Sequence, residues 1–165
     1  MMRRNRGFTF VELLMAVLVL GIGLVGVAGL QSVALGMNYG SYLRSQATVL
    51  AGDMADRMRA NPVGVGNGGY DMGAAATATE TTDCDTTTGC STGDMAEHDL
   101  YLWIQRVQAV LPSANAVVCI DSTPMDGTPG TPACDGTGAN HAVKIWWLEK
   151  EDGGNQRRFI TEFRP

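Results

Sequence analysis

Between Leu13 and Leu43 the chain carries no charged residue, and about twenty apolar residues are enough for a helix to span a bilayer. No proline interrupts the segment from Phe8 to Asn61, so the spacing predicts one continuous helix of roughly 80 Å at 1.5 Å per residue. The rest of the chain differs sharply. Sixteen of the seventeen acids lie beyond Arg44, and beyond Pro62 the sequence is polar and rich in Thr and Gly. A length of 165 residues therefore divides into one apolar appendage and one small domain.

The formal charge of -5 includes Arg3, Arg4 and Arg6, and without those three it becomes -8. No Lys/Arg cluster follows them, which argues against nucleic-acid phosphate as a partner. Positive charge ahead of an apolar run holds that end of a chain in the cytoplasm. A cleavable secretory signal or a plain signal anchor would share this pattern, and Val27-Ala28-Gly29 offers small residues for a cut. Neither accounts for an uncharged run that continues past such a site, nor for the carboxylate at its start.

That carboxylate is Glu12. An ionised acid within a membrane costs about 2.5–3.5 kcal/mol on insertion scales, and less near the interface. A cut after Gly7 would give Phe8 a free α-amino group, largely protonated at neutral pH. Phe8 and Glu12 are four residues apart, which places them on one helical face. The pair can close within the chain, Glu12 can sit at headgroup depth, or it can meet the amino group of a neighbouring subunit and set the axial register.

Arg6-Gly7-Phe8-Thr9-Phe10-Val11-Glu12, followed by Leu13-Leu14-Met15-Ala16-Val17-Leu18, closely resembles the cleavage and methylation motif of type IV pilin precursors. The resemblance implies that a membrane prepilin peptidase cuts between Gly7 and Phe8 and methylates the amine of Phe8. It also implies that Glu12 is the glutamate needed for filament assembly.

Gly21-Ile22-Gly23-Leu24-Val25-Gly26 fits G-x-G-x-x-G. With no strand before it and an apolar run around it, it is not a dinucleotide site. These glycines, with Gly29, Gly36 and Gly40, instead allow close helix packing or local unwinding on assembly. From Leu43 the pattern turns amphipathic. Leu43, Ala47, Leu50, Ala51, Met54, Ala55 and Met58 share one face, with Arg44, Asp53, Asp56, Arg57 and Arg59 on the other, and Asn61-Pro62 ends the helix.

Val63 to Gly93 reads as a surface loop. Cys84, Cys90, Cys119 and Cys134 form an even set whose connectivity the sequence leaves open, although the short spans favour Cys84–Cys90 and Cys119–Cys134. In a translocated domain disulfides are the default. A zinc site with His98 or His141 lacks the usual ligand spacing, and Asp83, Asp85 and Asp94 lack that of a calcium loop, so no metal or other cofactor is expected. Asp94 is the expected cap of a helix, with Glu97 as its box partner, and Leu100, Trp103, Ile104, Val107 and Leu111 form its apolar face up to Pro112. His98, in the first turn, is expected at the surface or in an interface. Ala116 to Ile120 reads as a strand, Asp121 to Asn140 as a long loop, and His141 to Lys150 as a half-buried strand. That strand turns through Asp152-Gly153-Gly154-Asn155 into Arg157 to Arg164, with Phe159, Thr161 and Phe163 inward. Adjacent Trp146 and Trp147 face opposite sides of the sheet, leaving one free to contact a neighbouring subunit.

The expected fold is α+β and pilin-like: a long N-terminal helix, half transmembrane and half amphipathic, packed on a small antiparallel sheet with a short second helix. The boundaries expected are a leader at 1–7, an assembly helix at 8–40, an amphipathic helix at 41–62 and a periplasmic or extracellular domain at 63–165. Gly7 to Gln31, Leu50 to Pro62 and Met95 to Leu100 also resemble the PilV branch of the minor pilins, the type IV pilus modification proteins. The resemblance implies a subunit that initiates or modifies pilus assembly, with the prepilin peptidase, other minor pilins, the major pilin and the inner-membrane assembly platform as partners. It places the chain in the inner membrane and then in the pilus. No catalytic signature is present around His98 or His141, so neither an enzyme nor a small-molecule substrate is expected. A type II secretion pseudopilin shares the leader, the glutamate and the fold, and a single-pass anchored binding protein is the reading from another class.

Overall fold

In the computed structural model, residues 7–73, 78–149 and 153–165 are described. Arg3, Arg4 and Arg6 of the expected leader, together with Lys150 and Asp152 of the expected second strand and its turn, lie outside the described residues. Helix α1 runs from Phe10 to Ala60, α2 from Pro62 to Gly66 and α3 from Thr92 to Val110. A short 3-10 turn covers Thr82–Asp85. Strands β1 (Asn115–Ile120), β2 (His141–Glu149) and β3 (Asn155–Phe163) form one antiparallel sheet in that order. This is the α+β architecture that the sequence pattern leads one to expect.

The chain divides into two compact units, Met1–Gly40 and Ser41–Pro165. In the first, the described part of α1 presents apolar side chains outward all along its length. The second has a core of its own. Leu43, Ala47, Leu50, Ala51, Met54, Ala55 and Met58 are all buried, because their three- and four-residue spacing lines them up on one face. All of these except Ala55 pack in one cluster with Leu100, Trp103 and Val107 of α3 and with Val143, Ile145 and Trp147 of β2. Trp103 also donates its indole N–H to the Leu50 carbonyl at 2.8 Å, so the largest core ring has its one polar atom satisfied.

The sheet register places Val118 opposite Val143 and Ile145 opposite Phe159, and Phe159 and Phe163 lean on the same core. Before β3, Gly153 and Gly154 have φ of 69° and 75°, a left-handed conformation that glycine adopts without steric cost.

Three expectations change. Asn61-Pro62 does end α1, but it also starts α2: the Asn61 side chain accepts from Gly64 N–H at 3.0 Å, and proline fits the first turn because it has no N–H to satisfy. Helix α3 begins one cap earlier than expected. Ser91 Oγ accepts from Asp94 N–H at 3.1 Å and donates to Asp94 Oδ2 at 2.7 Å, so Asp94 is the box partner rather than the cap, and Glu97 instead accepts from Thr79. Finally, β2 is buried on both faces. Trp147 is 1% exposed and Trp146 is 2% exposed, packed with Val117 and Cys119. Met72 and Cys134, from the segments before α3 and after β1, cover that second face, so neither tryptophan is available to a neighbouring subunit.

Replacing Trp103 with Ala should remove about 3–5 kcal/mol of stability, read from denaturant unfolding of the detergent-solubilised chain. A loss well under 1 kcal/mol would mean that this ring does not hold α1 to α3.

Candidate functional site

At its N-terminal end α1 is capped by Thr9. The Thr9 hydroxyl accepts from Glu12 N–H at 3.3 Å and its carbonyl accepts from Leu13 N–H at 3.2 Å. Thr9 and Glu12 thus have the spacing of a capping box, and Glu12 lies in the first turn, where a negative charge is favoured by the helix dipole. This corrects one expectation. Gly7, Phe8 and Thr9 precede the helix, so Phe8 and Glu12 do not share a helical face despite being four residues apart. The T-x-x-E pattern was legible as a cap, and it is the signal that would have placed the start of the helix.

Phe8 is 86% exposed, and Glu12 is exposed as well. Helix α1 is long and apolar enough to cross a membrane, and none of its most apolar window is buried by the chain itself. It continues unbroken through Gly21, Gly23, Gly26 and Gly29, where an added Cβ would meet nothing. Val17, Leu18, Ile22 and Val25 flank a shallow apolar notch at Gly21.

In the second unit, several polar residues of the Leu50–Pro62 segment make specific contacts. Arg57 lies 3.3 Å from Asp53 and 2.9 Å from Asp99 of α3. Asp99 also accepts from the Tyr70 hydroxyl at 2.6 Å, and Asn61 donates to the Thr92 carbonyl at 2.8 Å. Burial and the Asp99 hydrogen bond raise the Tyr70 pKa well above the usual tyrosine range. Burial lowers that of Arg57, but the bonds and charges of Asp99 and Asp53 outweigh it and leave a net rise. Asp53 and Arg57 are four residues apart on one flank of α1, and Asn61 follows directly at the junction with α2.

Cys84 is bonded to Cys90 and Cys119 to Cys134, with Cα separations of 4.8 and 6.1 Å. His98 is buried rather than at the surface, with Nε2 3.3 Å from Asp85 beside the first disulfide. In the loop after β1, the Asp135 carboxylate accepts from Ser122 and from Thr137 N–H, which holds its pKa below the usual carboxylate range. His141 is 6% exposed, and neither of its ring nitrogens has a hydrogen-bond partner in the structure. Burial depresses its pKa against the opposing charge of Asp71. His98 and His141 are thus structural positions held by different contacts.

An exposed, membrane-length helix with an acid in its first turn, continuing into a disulfide-tied helix-and-sheet unit, defines a membrane-anchored subunit of the pilin class. The family comparisons are specific on this point: residues 29–101 match the Tt1218-like family, described as type IV pilin Tt1218, and residues 2–28 match the prokaryotic N-terminal methylation motif. Over residues 2–101 the chain is therefore similar to type IV pilins, a family of structural subunits rather than enzymes. Their motif implies processing by prepilin peptidase and assembly with other pilins. No curated protein and no solved structure gave a match.

A histidine buried in its neutral form binds fewer protons than the same residue unfolded, so stability falls as pH drops below about 6.5. His141→Phe should flatten that fall, as measured by thermal unfolding between pH 7 and pH 5. An unchanged slope would assign the acid sensitivity to other groups.

Proposed function

We propose that this chain is a minor pilin of the pilus modification branch, which starts or modifies a type IV pilus. The observation that carries this reading is the start of α1. The helix is capped at Thr9, it leaves Gly7 and Phe8 outside the helical ladder, and it presents Glu12 at the head of an exposed, uncharged surface. A peptidase can bind a non-helical segment there, and a cut between Gly7 and Phe8 followed by methylation of Phe8 leaves a cationic amine.

Because Phe8 precedes the cap, Glu12 is free to take its counter-charge from the methylated amine of a neighbouring subunit. A charge pair in hydrocarbon has no water to compete with it, so the contact fixes register along the filament. Residues 1–7 are then a leader, 8–40 the assembly helix, 41–62 its extension into the domain and 63–165 the periplasmic and later extracellular part. Arg3, Arg4 and Arg6 orient the precursor with its N-terminus in the cytoplasm. The partners are the prepilin peptidase, the inner-membrane platform, other minor pilins and the major pilin. The type IV pilin match extends over Leu50–Pro62, which favours the pilus over a type II secretion pseudopilin. A deletion strain should lose twitching while exporting protein normally, and the reverse outcome would transfer the chain to the secretion system.

Mass spectrometry of the mature protein should find a chain that begins at methylated Phe8. An intact Met1 in assembled material would remove the pilin reading. Glu12→Ala should leave cleavage largely intact and reduce incorporation into sheared filaments at least tenfold, the expected scale for losing about 1.4 kcal/mol or more of a docking contact. Normal incorporation would overturn the pairing role.

A further inference from the structure

The loop after β1 is tied back to the sheet by Lys144, whose side chain shares a sheet face with Val117, its partner across the β1–β2 pair, and with Trp146. Lys144 Nζ lies 2.5 Å from Asp121 Oδ2, and both side chains are fully buried. Even so, Asp121 Oδ2 makes no hydrogen bond of normal geometry. Nζ donates instead to the Pro132 carbonyl at 2.8 Å and to Asp126 Oδ1 at 3.3 Å, with a longer contact of 3.5 Å to the Asp126 carbonyl. A neutral amine would satisfy both its protons on Pro132 and Asp126 and turn its lone pair toward Asp121. The other Asp121 oxygen, Oδ1, accepts from Thr123 N–H at 2.9 Å.

We propose that Lys144 and Asp121 condense into an intramolecular amide, an isopeptide bond that joins β2 to the residue following β1. One ammonium proton passes to Asp121 Oδ2, which leaves an amine and a carboxylic acid in contact. The Nζ lone pair attacks Cγ, and negative charge gathers on Oδ1, where the Thr123 N–H is already placed to receive it. Asp126 takes a second proton from the nitrogen and returns it to Oδ2. The Cγ–Oδ2 bond breaks and water departs past Asp126, whose side chain is 50% exposed. The third proton remains as the amide N–H, directed at the Pro132 carbonyl. Two of the three ammonium protons thus leave with Oδ2 as water, Asp126 is regenerated, and no oxidant or co-reactant is required. Burial favours the step, because it replaces two charges in apolar surroundings by one neutral, hydrogen-bonded amide. The loop already closed by Cys119–Cys134 then has a second covalent tie that thiol reduction does not open.

The test is the intact mass of the purified full chain after complete disulfide reduction, followed by peptide mapping. The native chain should be lighter by one water than its processed sequence requires, and digestion should yield a branched peptide joining the Asp121 and Lys144 segments. Lys144→Met and Asp126→Asn should both run at full mass, with Asp126→Asn retaining the native circular dichroism. A native chain at full mass, as a plain buried ion pair would give, overturns the bond. So does a missing water that maps elsewhere, and a bond still formed in Asp126→Asn overturns the relay.

Discussion

The second unit depends on one packed seam, where the Leu43–Met58 face of α1 meets Trp103 of α3 and the Val143–Trp147 stretch of β2. Every other element is arranged by what that seam needs. Burying Val, Ile, Leu, Met and Trp side chains contributes on the order of 1.5–3 kcal/mol each before entropy is subtracted, and no polar contact in the unit matches that sum. The seam also explains why α1 has two chemistries on one helix. Residues up to Gly40 must be apolar on every side for lipid or neighbouring helices, whereas residues from Leu43 need only one apolar face.

Polar ties fix the loops that the seam leaves unspecified. Each disulfide has a charged contact beside it. Cys84–Cys90 is adjacent to the Asp85–His98 pair, and Cys119–Cys134 to the contacts of Lys144 with Asp121 and Asp126. Arg57, Asp99 and Tyr70 do the same work at the end of α1, joining it to α3 and to the segment between them. Loops rich in Gly and Thr bury little apolar surface, so covalent and charge-assisted links hold them where packing cannot. The result is a domain whose Gly- and Thr-rich surface segments are tied to a packed scaffold.

The order of elements was legible because it rests on local periodicity. The buried face of α1, the apolar face of α3 and the alternation in β3 follow from spacing alone. The details that changed are those in which two local signals compete. Ser91 and Asp94 are both good caps, and only the path of the chain from Cys90 decided between them. Asn61-Pro62 can end a helix or begin one, and here it does both. At Thr9 and Glu12, the attraction of the four-residue spacing hid a capping pattern that was present in the same letters.

By itself the sequence determined the uncharged run, the acid at its head, the three arginines before it and the single apolar face beyond Leu43, because each depends only on residue type and spacing. Tertiary structure alone decided that both faces of β2 are covered, which places Trp146 and Lys144 in the interior. It likewise decided that His98 is buried, and that Asp121, Asp126 and Pro132 converge on one lysine. The physical reason is that burial of a second sheet face is set by segments far away in the chain, here Met72 and the loop carrying Cys134. Alternation within a strand can report its two faces but cannot say what lies against either one.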